Sequence, residues 1–162
     1  MRIVALAGAL AALALVPSGA AAANRPCGTP DLTVKLGQVG AGAGQRYAPL
    51  ILTSKANFTC TMRGYVGLSL TTKIGTSVPT KTVRLPGKKP VVRLKPGQQA
   101  VTRLQWTVVA TGSEPVDGPC EPNPADLFVT PPGQQLRLHV PWKNGPVCGS
   151  GKFSITPVKK KK

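Results

Sequence analysis

Apolar and polar residues alternate through most of this chain. A period of two marks strands, because successive strand side chains point to opposite faces. Leu32, Val34 and Leu36 alternate with Thr33 and Lys35, Ala48, Leu50 and Leu52 form a second row, and Val66, Leu68 and Leu70 a third. Val83 and Leu85 make a weaker fourth, and Val92 and Leu94 lead into the Pro96-Gly97 turn. Beyond it Ala100, Thr102, Leu104, Trp106 and Val108 share one face against Arg103 and Gln105 on the other. Leu127 and Val129 stop at Pro131-Pro132-Gly133, Leu136, Leu138, Val140 and Trp142 alternate with Arg137 and His139, and Phe153 and Ile155 alternate with Lys152, Ser154 and Thr156. The pattern predicts about eight or nine short antiparallel strands, each burying one face. Two such sheets packed face to face make an all-β, immunoglobulin-like β-sandwich, with a closed barrel as the alternative. Trp106 and Trp142 fall on apolar faces and are expected in the core.

The start of the chain follows another rule. Arg2 precedes an apolar stretch from Ile3 to about Val16, and small residues then lead to Ala21-Ala22-Ala23 before Asn24. This is the layout of a secretory signal peptide over residues 1–23, and the apolar run is short for a membrane span. The expected organisation is a signal peptide at 1–23, a single β-sandwich domain at 24–158 and a basic tail at 159–162. The whole chain holds eighteen Gly and seventeen Pro, and those of the exported part interrupt every candidate helix there, which favours strands and turns.

Export sends the chain to a compartment where thiols oxidise, so Cys27, Cys60, Cys120 and Cys148 read as two disulfides. Four cysteines allow three pairings. Cys27 precedes the first strand and Cys60 follows the second, while Cys120 precedes the Leu127 strand and Cys148 follows the Leu136 strand. Two antiparallel strands bring their outer ends together, so 27–60 and 120–148 are the expected pairs. Loops of about thirty residues closed in this way constrain the unfolded chain by roughly 3–4 kcal/mol each in the entropy model.

Charge changes the picture further. The formal net charge is +16. No Asp or Glu occurs from Leu32 to Ser113, and twelve Lys or Arg fall in that stretch. Lys73, Lys81, Arg84, Lys88, Lys89, Arg93, Lys95 and Arg103 form its densest part, and Lys159, Lys160, Lys161 and Lys162 end the chain. Together these residues are the candidate surface for anionic partners. Four of the five acids sit in one segment, as Glu114, Asp117, Glu121 and Asp126. A specific nucleic-acid partner is not expected, because export separates the chain from its host's nucleic acid and the few aromatics do not interleave with the basic run. Envelope polysaccharides, wall polymers and anionic headgroups are the polyanions outside a cell. Four lysines near a bilayer contribute about 1 kcal/mol each.

Catalytic chemistry finds little here. His139, the single histidine, alternates outward on its strand and reads as a surface imidazole. Asp117 and Glu121 lie among Gly, Pro and Cys120 and read as a solvated loop. The cysteines lack the short spacing of a zinc site, and the 114–126 segment lacks a calcium ladder. The Gly-rich GQVGAGAGQ stretch lacks the Gly-Lys-Ser/Thr ending of a phosphate loop. No metal, cofactor or catalytic residue is expected.

Several segments carry a resemblance to a known family. Cys27 stands just before DLTVKLG; GAGAGQRYAPLILT follows, then TCTMRGYVGLSL, LKPGQQA, LQW, the third cysteine, DLFVTPPGQ and a late VCG. In this order they resemble the actinobacterial secreted family known as domain of unknown function 4232, across nearly all of the exported chain. Val66 stands where that family commonly has Pro, and the lysine tail is peculiar to this chain. The resemblance implies an exported, disulfide-stapled β domain and no established activity. Composition and resemblance lead to one expectation, an exported noncatalytic binding or structural domain of the cell envelope with a basic surface for an anionic polymer or lipid. The alternative is a secreted protein-recognition module, such as an inhibitor or host-interacting antigen.

Overall fold

A computed structural model describes residues 25–162; the expected signal peptide at 1–23 lies outside the described residues. Thirteen strands follow in chain order: β1 (Leu32–Leu36), β2 (Gly40–Gly42), β3 (Gln45–Ser54), β4 (Cys60–Met62), β5 (Gly67–Thr71), β6 (Ser77–Val78), β7 (Lys81–Arg84), β8 (Val92–Leu94), β9 (Gln99–Thr107), β10 (Asp126–Thr130), β11 (Leu138–Pro141), β12 (Lys152–Ile155) and β13 (Lys159–Lys160). They form a seven-stranded sheet with the path β1-β3-β9-β12-β7, to which β2 and β13 attach, a four-stranded sheet β11-β10-β5-β6, and a β4-β8 pair. The sheets are separate, so no single barrel closes.

The centre of the larger sheet is the β3–β9 pair, antiparallel from Gln45 opposite Thr107 to Thr53 opposite Gln99. Pro49 is tolerated within β3 because its carbonyl accepts the Gly37 N–H at 2.7 Å. The missing proline N–H therefore faces the point where β1 stops pairing, and no ladder bond is lost. The inner residues Leu50, Leu52, Leu104, Trp106, Phe153 and Ile155 are buried and meet Leu70, Leu127, Val129 and Val140 of the smaller sheet in one core. Trp106, Trp142 and Phe153 make its aromatic centre, with ring centroids 5.0 to 6.0 Å apart. The one buried hydroxyl on the inner face of β9, Thr102, donates to the Thr156 carbonyl at 2.6 Å, which meets the cost of burying it.

Both expected disulfides are present, Cys27–Cys60 and Cys120–Cys148. Leu32 pairs with Ser54 at the outer end of β1–β3, and Asp126 with Pro141 at the outer end of β10–β11. The chain runs on from those ends far enough for each cysteine pair to meet.

Four details depart from the alternation. The sheet contains one parallel pair, β7 with β12, which a long connection permits. In that register Thr82 lies opposite Phe153 and Val83 opposite Ser154, so Val83 faces away from the core, reversing the expected order. Leu136 is 65% exposed, because β11 begins only at Leu138 and the residues before it belong to the connection from β10. The lysine tail is partly strand: Lys159 and Lys160 pair with Val101 and Ala100 of β9.

Candidate functional site: a basic sheet face

Parity along the strands of the larger sheet decides what its outer face carries. Leu50, Leu104 and Phe153 point inward, so Tyr47, Pro49 and Ile51 of β3, Arg103 and Gln105 of β9, and Lys152 and Ser154 of β12 point outward. Lys35 lies opposite Ile51, Lys81 opposite Lys152 and Lys159 opposite Val101, which adds three more cations to the same face. Lys161 joins them, its Nζ donating to Gln99 Oε1 at 2.8 Å. None of the seven strands contains an Asp or Glu. The ion pair found among the described residues is His139–Asp126 on the smaller sheet. The cations of the outer face therefore have no carboxylate partner within the described residues.

The predicted basic residues do not gather on one patch. Lys81, Arg103, Lys159 and Lys161 share the outer face. Arg84 and Lys89 stand over the Tyr65 ring, 5.4 and 5.3 Å from its centroid. They are held there by the attraction of a cation to the aromatic face, and Tyr65 donates its hydroxyl to the Leu85 carbonyl at 2.6 Å. Lys73 is exposed in the β5–β6 turn, Lys88 in the β7–β8 connection and Lys95 in the turn before β9; Arg93 is exposed on β8 opposite Thr61. Lys160 and Lys162 are exposed at the chain end. Lys35 and Lys152 belong to the outer face and were not among the candidates. They lie outside the dense run of charge along residues 73–103, although each alternates with inward-facing neighbours by the same rule that exposes Arg103.

Two recesses lie side by side on this face. One, of about 200 Å3, is lined by Gln45, Gln105, Thr111, Gly149, Lys152 and Ser154. The other, of about 210 Å3, is lined by Tyr47, Ala48, Pro49 and Arg103. Tyr47 is the direct cross-strand partner of Gln105, so the two recesses meet at that pair. The Arg103 guanidinium lies 4.9 Å from the centre of the Tyr47 ring. Gln105 Nε2 donates to Gln45 Oε1 at 3.5 Å, a long contact that holds both amides at the rim.

The acidic segment behaves differently from a free solvated loop. Glu114 Oε2 accepts the backbone N–H groups of Thr111 at 2.7 Å and Gly149 at 3.0 Å, and Oε1 accepts that of Ser150 at 2.9 Å. Gly149, Ser150 and Gly151 all have positive φ, 70°, 57° and 69°, so successive N–H groups turn inward and form a concave anion cradle. Those backbone bonds, with Ser150 first, hold the Glu114 carboxyl down at about 2 from its ordinary 4.5. Glu121 is pushed up, by desolvation first and then by the Glu114 charge. Glu114 thus ties the segment after β9 to the turn before β12, next to Cys120–Cys148. Its sequence signal was the Thr-x-x-Glu spacing of Thr111 and Glu114, a local side-chain-to-backbone motif. His139 is exposed as expected but not idle: its Nε2 lies 2.6 Å from Oδ1 of Asp126, its diagonal neighbour on β10.

Among the described residues no cluster of three or more His, Cys, Asp or Glu is arranged to hold a metal ion, and no helix is long and apolar enough to cross a membrane. The two disulfides fit an oxidising compartment outside the cytoplasm. No curated protein matches the chain, and no solved structure matches it. Residues 27–159, nearly all of the described chain, match the family described as domain of unknown function (DUF4232), and the protein belongs to that family.

Proposed function

We propose that this is an exported, noncatalytic binding or structural domain of the cell envelope whose basic surface engages anionic polymers or headgroups. The observation that carries the reading is the outer face of the seven-stranded sheet, where Lys35, Lys81, Arg103, Lys152 and Lys159 are displayed on strands that contain no acid, with Lys161 just past the end of β13. Unneutralised cations on one face raise the local concentration of polyanions and speed encounter with them. The part of the tail built into β13 adds to this face, so the tail serves both the sheet and the surface.

The test is co-sedimentation of the mature protein with phosphatidylglycerol-containing vesicles and with an insoluble acidic polysaccharide, each against a neutral counterpart. Salt is raised until the screening length falls from about 10 Å to about 3 Å. Binding to the anionic surfaces at low salt that disappears at high salt is expected, with a clear loss on removing Lys159–Lys162. A protein that ignores both anionic surfaces at low salt would leave the charge as a solubility device and refute the reading.

A further inference from the structure

We propose that the paired recesses on the outer face of the seven-stranded sheet form a binding site for an acidic polysaccharide, a chain of carboxylate-bearing sugars. The proposal deepens the reading above and rests on it. The site runs across the strands from Pro49 and Tyr47, past Gln45 and Gln105, to Ser154 and Lys152.

Three features select this ligand. The first is the mixture of groups. Tyr47 and Pro49 offer an apolar floor against which the C–H face of a sugar ring can lie. Gln45, Gln105 and Ser154 offer amide and hydroxyl groups, which suit the donor-and-acceptor hydroxyls of a sugar. The Gln45–Gln105 contact is long at 3.5 Å, so a ligand hydroxyl can replace it at small cost. The second is charge. Arg103 stands at one end of the site and Lys152, beside Lys81, at the other; the strands supply no acid, and the carboxylate nearest the lining, Glu114, is off the strands and already bonded to the backbone N–H groups of Thr111, Gly149 and Ser150. Carboxylates at both ends of a short sugar chain would meet cations. The third is what the face lacks. The large exposed apolar side chains, Ile74, Val91, Val109, Val116 and Leu136, all lie outside the strands of this sheet. A surface that enters a bilayer uses such groups; a surface that binds a soluble polymer does not need them.

The experiment measures binding of a short oligogalacturonate and of its methyl-esterified, neutral form by calorimetry, at low salt, to the mature protein and to Gln105→Leu, Ser154→Ala and Tyr47→Ala. Vesicle binding is read in parallel, and the unfolding midpoint of each variant is required to match the parent. None of the three substitutions changes the net charge. Each is expected to weaken oligogalacturonate binding by about tenfold, the effect of one lost good contact, while vesicle binding holds. The neutral form is expected to bind far more weakly. Variants that fold like the parent and bind oligogalacturonate equally well would overturn the site while leaving the broader basic-surface reading intact. Failure of the parent protein to bind oligogalacturonate, with vesicle binding preserved, would likewise sink the polysaccharide proposal alone. Failure of both probes would refute the two readings together.

Discussion

The aromatic centre of the core offers the sharpest energetic prediction. Trp106 is 1% and Trp142 4% exposed. Their rings stand 5.0 Å apart, and Phe153 lies 6.0 Å from the first and 5.6 Å from the second. Trp142 also donates its indole N–H to the Gly145 carbonyl at 2.8 Å. Trp142→Ala removes the buried ring, two aromatic contacts and that bond, and should cost roughly 3–5 kcal/mol. Against a whole-domain stability of about 5–15 kcal/mol, this is a large share. The two tryptophans touch, so their substitutions should not add. A double-mutant cycle with Trp106→Leu and Trp142→Leu should return a coupling of roughly 0.5–1.5 kcal/mol, the scale of an aromatic pair. Urea unfolding followed by far-ultraviolet circular dichroism, with both disulfides kept oxidised, measures each term. A Trp142→Ala cost below about 1 kcal/mol with an unchanged slope would show that the ring does not fill the space between the sheets. A coupling indistinguishable from zero would show that the two rings do not pack together.

Three further substitutions test the turn before β12 and the carboxylate bonded to it. Glu114→Gln should lower stability at neutral pH. Because the folded carboxyl is held at about 2 against an ordinary 4.5, its contribution is fully present above about 4.5 and is lost as pH falls toward 2. The gap between parent and variant unfolding midpoints should therefore close across that window, and a gap constant with pH would contradict the backbone cradle. Gly151→Ala should be severely destabilising, by at least about 3 kcal/mol, because a Cβ there would lie 1.7 Å from the Pro79 carbonyl oxygen at a φ of 69°. Gly149→Ala, with the same backbone sign but its nearest neighbour at 3.4 Å, should cost only about 1–2 kcal/mol. Equal stability of the two variants by urea titration would show that β7 and β12 do not approach as described.

The sequence by itself determined the all-β character of the domain, both disulfides and most of the core. Alternation is a local property: once Leu50, Leu104 or Phe153 is assigned inward, its neighbours must face outward, and the hairpin ends then bring the cysteines together. The family membership was legible for a related reason, since the ordered motifs run the length of the domain. What the sequence did not determine was which strands share a sheet. Lys35, Lys81, Arg103, Lys152 and Lys159 lie far apart along the chain, and only the pairing of β1, β3, β9, β12, β7 and β13 puts them on one surface. Density of charge in the sequence pointed instead to residues that the fold divides between that face, the Tyr65 cluster and separate turns. The parallel β7–β12 pair and the inverted faces of Thr82 and Val83 were equally invisible, because each depends on contacts between distant segments that no local period encodes; of the Glu114 cradle only the local Thr111 half had a signal, since Gly149 and Ser150 come from a distant turn. Hydrophobic periodicity chooses the face of a strand, whereas only tertiary pairing chooses its neighbours, and a binding surface is made of neighbours.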